Sequence, residues 1–356
     1  MVPKQPACDR EALQRLQRKT IRLERVKVLS SAGTHFKKRM NPFAGKKILV
    51  AGGSGLVGTH LVIALAAKKA KILASFYSRK PRILKPCYRR FDFTRREDCL
   101  TATRGKELVF LCAAVTGGIQ SNQQNPLNET VTNLKIQYGL LDACRKNKVK
   151  KVILISSSTV YHQTDHPVRE DELDLKKQPP RCYLAVGGFN RYVEQLADMY
   201  SERFGMSIAI VRPTNLYGPF DHFEEKRSHV LPALIKRALA KENPFVVWGR
   251  PGVIRDFLYV EDFVGDLLDI ARRDIDNGPL NVAYGKATRI GEAVKVVLKE
   301  CGHYPKVVYD CRQPAAAGYR MVSMRKFESL FGKRKRTSLA EGVRKTIQWY
   351  QNAIKK

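Results

Sequence analysis

The segment from Lys47 to Gly58 limits this chain most. Lys47-Ile-Leu-Val-Ala51 has the apolar, partly β-branched make-up of a short buried strand, and Gly52-Gly-Ser-Gly-Leu-Val-Gly58 follows it directly. The apolar stretch from Thr59 to Lys69 then reads as a helix. Strand, glycine turn and helix in that order let backbone N–H groups and a helix N-terminus approach a pyrophosphate with no Cβ in the way. Gly52, Gly55, Leu56, Val57 and Gly58 are therefore the candidate phosphate contacts. Spaced glycines alone also serve ordinary turns; the flanking strand and helix make the dinucleotide reading.

Further apolar runs at Lys71–Phe76, Leu108–Ala114, Val152–Ser156 and Ser207–Val211 alternate with helical stretches at Asn133–Lys146 and Arg191–Phe204. Alternating β and α elements of this kind require a mostly parallel sheet covered on both faces. The expected architecture is α/β, a Rossmann-like doubly wound parallel sheet with a smaller C-terminal substrate lobe. A basic N-terminal extension covers residues 1–45, the dinucleotide-binding core 46–212, and the smaller lobe, interleaved with the core, 213–356. The second strand ends in Ser75-Phe-Tyr-Ser-Arg79-Lys80 without the acidic residue that holds a ribose 2′-hydroxyl. Arg79 or Lys80 then favours NADP over NAD; equally, both belong to a basic surface patch.

Charge is the second constraint. Sixty-five Lys and Arg face 33 Asp and Glu, leaving +32, far beyond what keeps a metabolic enzyme dispersed. Residues 1–47 carry 13 basic and 3 acidic side chains, and residues 320–356 carry 11 and 2. The stretch from Arg79 to Arg96 and the run from Arg145 to Lys151 add basic clusters in the middle of the chain. Each run alone reads as a solvated face; together they call for a polyanionic partner, with RNA or a ribonucleoprotein as the first choice. The eight cysteines show neither C-x-x-C spacing nor histidine partners, so no metal site is expected and the thiols fit a reducing compartment. The apolar stretch Leu61–Ala67 is too short to span a bilayer, and no membrane span is expected. Residues Glu11–Leu29 are Arg-rich with apolar residues at roughly helical spacing, which reads either as an organelle transit sequence or as an RNA-binding helix. The expected compartment is the mitochondrion, with the cytoplasm as the alternative.

An ordered set of motifs gives the chain a family resemblance from about Lys46 onward. It comprises Ala51–Gly58, Phe91-Asp-Phe93, Cys112–Gly118, Asn133, Ser156–Tyr161, Arg212–Pro219, Ser228–Leu234, Val247-Trp-Gly249 and Arg255–Asp262. In these the sequence resembles the extended short-chain dehydrogenases/reductases of the NAD-dependent epimerase/dehydratase type, most of all the GDP-fucose synthases (GDP-4-keto-6-deoxymannose epimerase/reductases). The resemblance implies that Asp92 and Phe93 lie by the adenine, that Ala113 and Ala114 pass the cofactor ribose, and that Asn133, Pro213 and Asn215 belong to the cofactor pocket. It makes Ser157 the residue that holds the substrate carbonyl and His229 the epimerisation acid, and it puts Arg237, Trp248 and Arg255 in the sugar-nucleotide pocket. It also implies helices at Thr288–Gly302 and Ser338–Trp349 over the smaller lobe, and a homodimer if the protein works as such an enzyme.

Two departures bear on chemistry. The cysteine that partners the histidine in such enzymes is Thr159 here, and a hydroxyl is a poor proton carrier beside a thiol. The family's Tyr and Lys stand four apart at the start of a helix; counting back from Phe204-Gly205 puts Val186 and Asn190 there. Taking Tyr183 as the tyrosine puts Gly187 at the lysine position instead. Neither register supplies an ammonium group to lower a phenol pKa from about 10. The expectation is a non-catalytic scaffold with a retained nucleotide, docked on RNA in a mitochondrial ribosome or its assembly intermediate; the alternative is an active NADP-dependent epimerase/reductase using Tyr183.

Overall fold

The computed structural model describes residues 41–83, 87–116, 126–224, 228–273, 278–312 and 317–354. The N-terminal segment expected to be helical therefore lies, up to residue 40, outside the described residues. The chain begins β1 (Lys47–Ala51), α1 (Leu56–Ala67), β2 (Lys71–Phe76), β3 (Tyr88–Arg90), α2 (Arg96–Thr103), β4 (Leu108–Leu111) and α3 (Pro126–Lys146). It continues with β5 (Lys151–Ile155), α4 (Leu184–Phe204), β6 (Ser207–Pro213) and β7 (Asn215–Tyr217). Then come α5 (Val230–Leu239), β8 (Phe245–Trp248), β9 (Ile254–Arg255), β10 (Phe257–Tyr259), α6 (Val260–Ala271) and β11 (Leu280–Val282). The last elements are β12 (Thr288–Arg289), α7 (Ile290–Glu300), β13 (Val307–Asp310), β14 (Tyr319–Arg320), α8 (Arg325–Phe331) and α9 (Leu339–Ile354).

Seven strands form one sheet in the order β11-β6-β5-β4-β1-β2-β3, and each adjacent pair is parallel. A parallel sheet must be covered on both faces, which explains the unbroken apolar runs of β1, β4 and β5. Within β1, Ile48 and Val50 pack into one core with α1 and α6, while Leu49 and Ala51 pack into another with α3 and α4. Two-residue alternation thus feeds two apolar layers from one strand. The smaller lobe has its own core, where Phe245 and Val247 of β8 meet Leu234, Val294, Val343 and Ile347 from α5, α7 and α9. Chain order and space diverge after Pro213: β11 returns to the edge of the large sheet, and Phe263 and Phe327 enter the core beneath it.

The boundaries of α4, β4 and α3 differ from the sequence expectation, as do α1, which starts at Leu56 rather than Thr59, and α9, which ends at Ile354 rather than Trp349. Helix α4 starts at Leu184 rather than Arg191, so Gly187 and Gly188 lie inside it. Glycine costs about 1 kcal/mol in a helix interior, but a Cβ at Gly187 would meet the Thr159 carbonyl at 2.4 Å, so no larger residue fits that packing. Strand β4 ends at Leu111, three residues early, because the following segment leaves the sheet and is held instead by Asn133 and Gln137. Helix α3 begins at Pro126, seven residues before Asn133; proline at a first helical turn loses nothing, since that N–H has no intrahelical acceptor.

Candidate nucleotide site and the adjoining cleft

Along the sheet the chain moves outward from β1 to β2 and β3, then returns to the other side of β1 as β4. The C-terminal ends of β1 and β4 therefore part, which is where open α/β sheets take ligands. Gly52 follows β1 at φ +82°, and a Cβ there would sit 2.7 Å from the Ala113 backbone. A Cβ on Gly58 would lie 2.1 Å from the Gly52 carbonyl, so the turn closes only with glycine at both positions. Gly55 is the N-cap of α1 and supplies no side-chain cap, and the first turn carries no acidic residue. The N–H groups of Leu56, Val57 and Gly58 have no intrahelical acceptor, which leaves the positive end of α1 open to an anion. Ser75 Oγ accepts the Gly52 N–H at 2.7 Å and Tyr88 donates to the Gly53 carbonyl at 2.9 Å, so β2 and β3 hold the turn in shape. This cradle fits the diphosphate of a dinucleotide.

The flanking residues divide. Asp92 Oδ1 accepts from Thr94 N at 3.0 Å and Thr94 Oγ1 at 2.6 Å, and these bonds hold the carboxyl below its ordinary range. Phe93 is a core residue, buried beside Phe91 with the rings stacked at 5.9 Å. Asn133 clasps Val115 with two bonds, 2.7 Å from its N–H and 2.9 Å to its carbonyl, while Gln137 donates to Ala113 at 3.1 Å. Ala113 and Ala114 are thus set beside the glycine turn by side chains of α3. Arg79 stands at the end of β2, but its guanidinium is bonded to the Phe220 and Asp221 carbonyls at 2.7 and 3.2 Å and to His222 Nε2 at 3.2 Å. Burial, together with nearby Arg82, brings its pKa down to about 10.

Beyond β5 the chain forms a short 3-10 turn, and here the second half of the site assembles. Ser157 caps this turn, its Oγ accepting from Thr159 N at 3.2 Å. Thr159 Oγ1 is buried without a partner and lines a cleft shared with Tyr161, His162, Tyr183 and Arg320. Val186 and Asn190 lie one turn apart near the start of α4, and the Asn190 amide folds back to donate to the Val186 carbonyl at 2.8 Å. Tyr183 precedes that helix, buried, with the Arg320 guanidinium 4.5 Å above its ring and Arg255 within hydrogen-bonding reach. Arg255 is 3% exposed, and burial lowers its pKa. Register brings Arg320 of β14 beside Arg255 of β9, and Arg320 also donates to Asn215 Oδ1. Arg255 Nη2 and Arg320 Nε and Nη1 are buried donors without an acceptor. Donors left unpaired in this way are costly, and a water or an anion in the cleft would satisfy them. Pro213 is buried at the end of β6, and Asn215 donates to the Asp256 carbonyl at 2.7 Å, joining β7 to β9–β10.

The remaining expected residues are more scattered. His229 caps α5 with its side chain half exposed, 3.8 Å from Asp221 Oδ1. Burial opposes its charge, but Asp221 outweighs that and raises the imidazole pKa. Arg237 is paired with Glu242 at 2.6 Å and lies 4.9 Å over the Phe245 ring, which commits it to the smaller lobe's surface. Trp248 is 52% exposed at the end of β8. Among the described residues no group of three or more metal-ligating side chains occurs, and no helix is long and apolar enough to cross a membrane.

Residues 48–283 match the NAD dependent epimerase/dehydratase family. The chain belongs to that family. Among curated relatives it is 30% identical over 312 residues to GDP-L-fucose synthase 1 of Arabidopsis thaliana, a match covering 85% of this chain and 93% of that protein. It is 27% identical to the GDP-L-fucose synthase of Sinorhizobium fredii, covering 87% and 97%. Among solved structures, UDP-glucose 4-epimerase of Thermotoga maritima with UDP-glucose superposes with a TM-score of 0.78 at 23% identity, covering 86% of this chain and 99% of that one. A GDP-L-fucose synthetase from Naegleria fowleri bound to NADP gives 0.74 at 22% identity, covering 87% and 94%.

In this epimerase-family chain the cleft rests on a buried polar network that motif reading did not single out. Glu194, on the same face of α4 as Val186 and Asn190, pairs with Arg212 of β6 at 2.7 Å and accepts from the Ser156 hydroxyl. Arg212 donates to Tyr161 OH at 2.7 Å, Tyr161 donates to Asn281 Oδ1 at 2.8 Å, and Asn281 N–H donates to Glu170 Oε1 at 2.8 Å. Four segments far apart in sequence thus fix the turn that carries Ser157 and Thr159. Asp256, fully buried, accepts from Thr214 Oγ1, Tyr284 N and Gly285 N at 2.7–2.9 Å and fixes the β7–β10 corner likewise. Burial raises its pKa. Only helical spacing (186, 190, 194) in the sequence pointed to Glu194; nothing local pointed to Asn281 or Arg320, and Asp256 lay within the Arg255–Asp262 motif with no role assigned to it.

Proposed function

We propose that this chain is a non-catalytic member of its family that keeps an NADP site, NAD being the alternative, and docks on RNA through its basic surfaces within a mitochondrial ribosome or its assembly intermediate. One observation carries the loss of catalysis. Where the family resemblance puts the tyrosine and lysine, the chain has Val186 and Asn190, and the Asn190 amide is turned back onto its own helix. Positions 186 and 190 then present the cleft with neither an acidic hydroxyl nor an ammonium group. Loss of general acid catalysis typically costs about 10²- to 10⁴-fold, and loss of the positioning cation adds to it. No upstream lysine replaces it: Lys177 is exposed and lies 3.9 Å from Asp174. Thr159 in place of a thiol removes the second proton carrier.

Retention of the nucleotide is supported by the glycine cradle and the open N-terminus of α1, and relatives of this chain include an NADP-bound GDP-L-fucose synthetase. The RNA partner and mitochondrial setting rest on a net charge of +32 and its placement at both ends of the chain. Two measurements test the reading. Purified protein given NADPH and a GDP-4-keto-6-deoxy sugar should oxidise no NADPH above background, while NADPH itself should bind. Its affinity for generic RNA should fall steeply with salt, and a flat response would remove the RNA part.

A second reading has one observation in its favour. The Tyr183 phenol sits between Arg255 and Arg320, two guanidinium groups that could take over the charge of the missing lysine. An NADP-dependent sugar-nucleotide epimerase/reductase with Tyr183 as acid, Ser157 on the carbonyl and His229 as second acid would then turn over. Tyr183→Phe and Ser157→Ala would abolish that turnover, and measurable NADPH oxidation by the natural chain would establish this reading over the first.

A further inference from the structure

All strands of the large sheet are parallel, so their N-terminal ends share one rim, opposite the glycine turn and the cleft. Lys46 and Lys47 enter β1, Lys71 opens β2, and Lys106 leads into β4. Lys47 and Lys71 are register partners on adjacent strands about 4.8 Å apart. These cations stand on rigid backbone, since the Lys46 carbonyl accepts Lys71 N–H at 2.9 Å and the Lys47 carbonyl accepts Glu107 N–H at 2.8 Å. Lys46, Lys47 and Lys71 are exposed, and none of the three forms an ion pair among the described residues.

Like charges at this spacing repel, and among the described residues the only acid interleaved with them is Glu107. Its carboxylate already accepts the Lys47 N–H at 3.0 Å and pairs with Lys150 at 3.4 Å. Lys106 shows the crowding: burial, then Lys47 and Arg89, lower its pKa. Helix-dipole compensation accounts for basic residues at helix C-termini such as Arg145 and Lys146. It does not account for Lys46, Lys47 or Lys71, which stand at the starts of strands. The described chain also starts at this rim, where Asn41 donates to the Lys68 carbonyl at 2.6 Å.

We propose that this strand-end rim is the surface on which an RNA backbone docks, with Lys46, Lys47, Lys71 and Lys106 facing its phosphates while the nucleotide cradle at the opposite end stays open. The assignment rests on the RNA-docking reading above and gives it a place. RNA is favoured over a lipid surface because no exposed large apolar side chain lies in the segments that carry these cations. Cations fixed in a row on strand ends suit a polyanion of regular charge spacing, whose binding is driven by counterion release.

The test uses the full chain and a short RNA duplex of arbitrary sequence. Lys46→Glu/Lys47→Glu/Lys71→Glu is compared with Lys286→Glu/Lys295→Glu/Lys299→Glu, which makes the same change in net charge on the smaller lobe. The rim variant should bind RNA at least about tenfold more weakly, with the slope of log affinity against log salt reduced by about 3, near one unit per lost phosphate contact. The lobe variant should keep the slope of the natural chain. Should charge reversal unfold the rim, the matching Gln variant, checked for a retained NADPH response, should show the same loss of slope. Equal losses in both variants, or an unchanged slope in the rim variant, overturn the assignment while leaving RNA docking in place. Failure of the natural chain to bind RNA at any salt overturns both. Binding to phosphatidylserine vesicles through the same residues, without RNA binding, overturns the assignment in favour of a membrane.

Discussion

Replacing Glu194 by Ala should cost this protein more stability than almost any other single change near the cleft. The substitution removes three contacts to Arg212, at 3.0, 3.2 and 2.7 Å, and the acceptor for the Ser156 hydroxyl. Arg212 is 2% exposed and keeps only Tyr161 OH at 2.7 Å and the Glu170 carbonyl at 3.4 Å. A buried guanidinium without its counter-ion typically costs about 3–5 kcal/mol. The unit Asn41–Lys356 has 316 residues. At about 2.1 cal/mol/K per residue its unfolding entropy is about 0.66 kcal/mol/K, so the melting temperature should fall by about 5–8 °C. Differential scanning calorimetry reads this directly. The double variant Glu194→Leu/Arg212→Leu removes both charges and should melt above Glu194→Ala, because an apolar pair avoids the stranded charge. A single variant within about 1 °C of the natural chain, or a double variant that melts below it, would refute the reasoning.

Gly58→Ala sets a Cβ 2.1 Å from the Gly52 carbonyl and should weaken NADPH binding at least about tenfold, read by cofactor fluorescence, since the cradle closes only around glycine. The adjacent glycines of α4 should respond with opposite signs. Gly188→Ala meets open space and should gain up to about 1 kcal/mol, whereas Gly187→Ala should lose about 1–3 kcal/mol against the Thr159 carbonyl, both read by thermal melting. His222 titrates near 4 in the folded chain because it is buried and lies beside Arg79. An unfolded chain takes up that proton below about pH 6.5. Between pH 4 and 6.5 the unfolded state thus binds more protons, and His222's contribution to stability should rise with pH across that window and level off above it. His222→Asn should flatten the dependence of melting temperature on pH, and an unchanged slope would remove the assignment.

Legibility followed the range of the forces involved. The β1–glycine–α1 unit was readable because its strand, turn and helix are adjacent and each residue type serves its own backbone conformation. The V-G-G-F-N stretch was readable as a gap in a spacing, but its glycines obscured the helix they sit in. Seven residues of α4 came into view only with Gly187 packed under Thr159. Arg79 shows the opposite error: at the end of β2 it looked free to choose between cofactors, and the 220–222 loop, some 140 residues on, takes up its guanidinium. Arg320 was missed because its meaning depends on lying beside Arg255, 65 residues earlier.

By itself, then, the sequence determined the parallel α/β architecture, the glycine cradle, the absence of a Tyr-x-x-x-Lys pair and the excess of positive charge. All four are properties of residue type and local spacing, which do not depend on where distant segments meet. Only the tertiary structure decided that Glu194, Arg212, Tyr161 and Asn281 form one buried network, that Tyr183 meets two arginines, and that Lys47, Lys71 and Lys106 share a rim. Those outcomes depend on strand order and register, which bring together residues separated by up to 137 positions, as in Tyr183 and Arg320. Burial there lets a hydrogen bond or a charge act at full strength, whereas in the extended chain water would screen it.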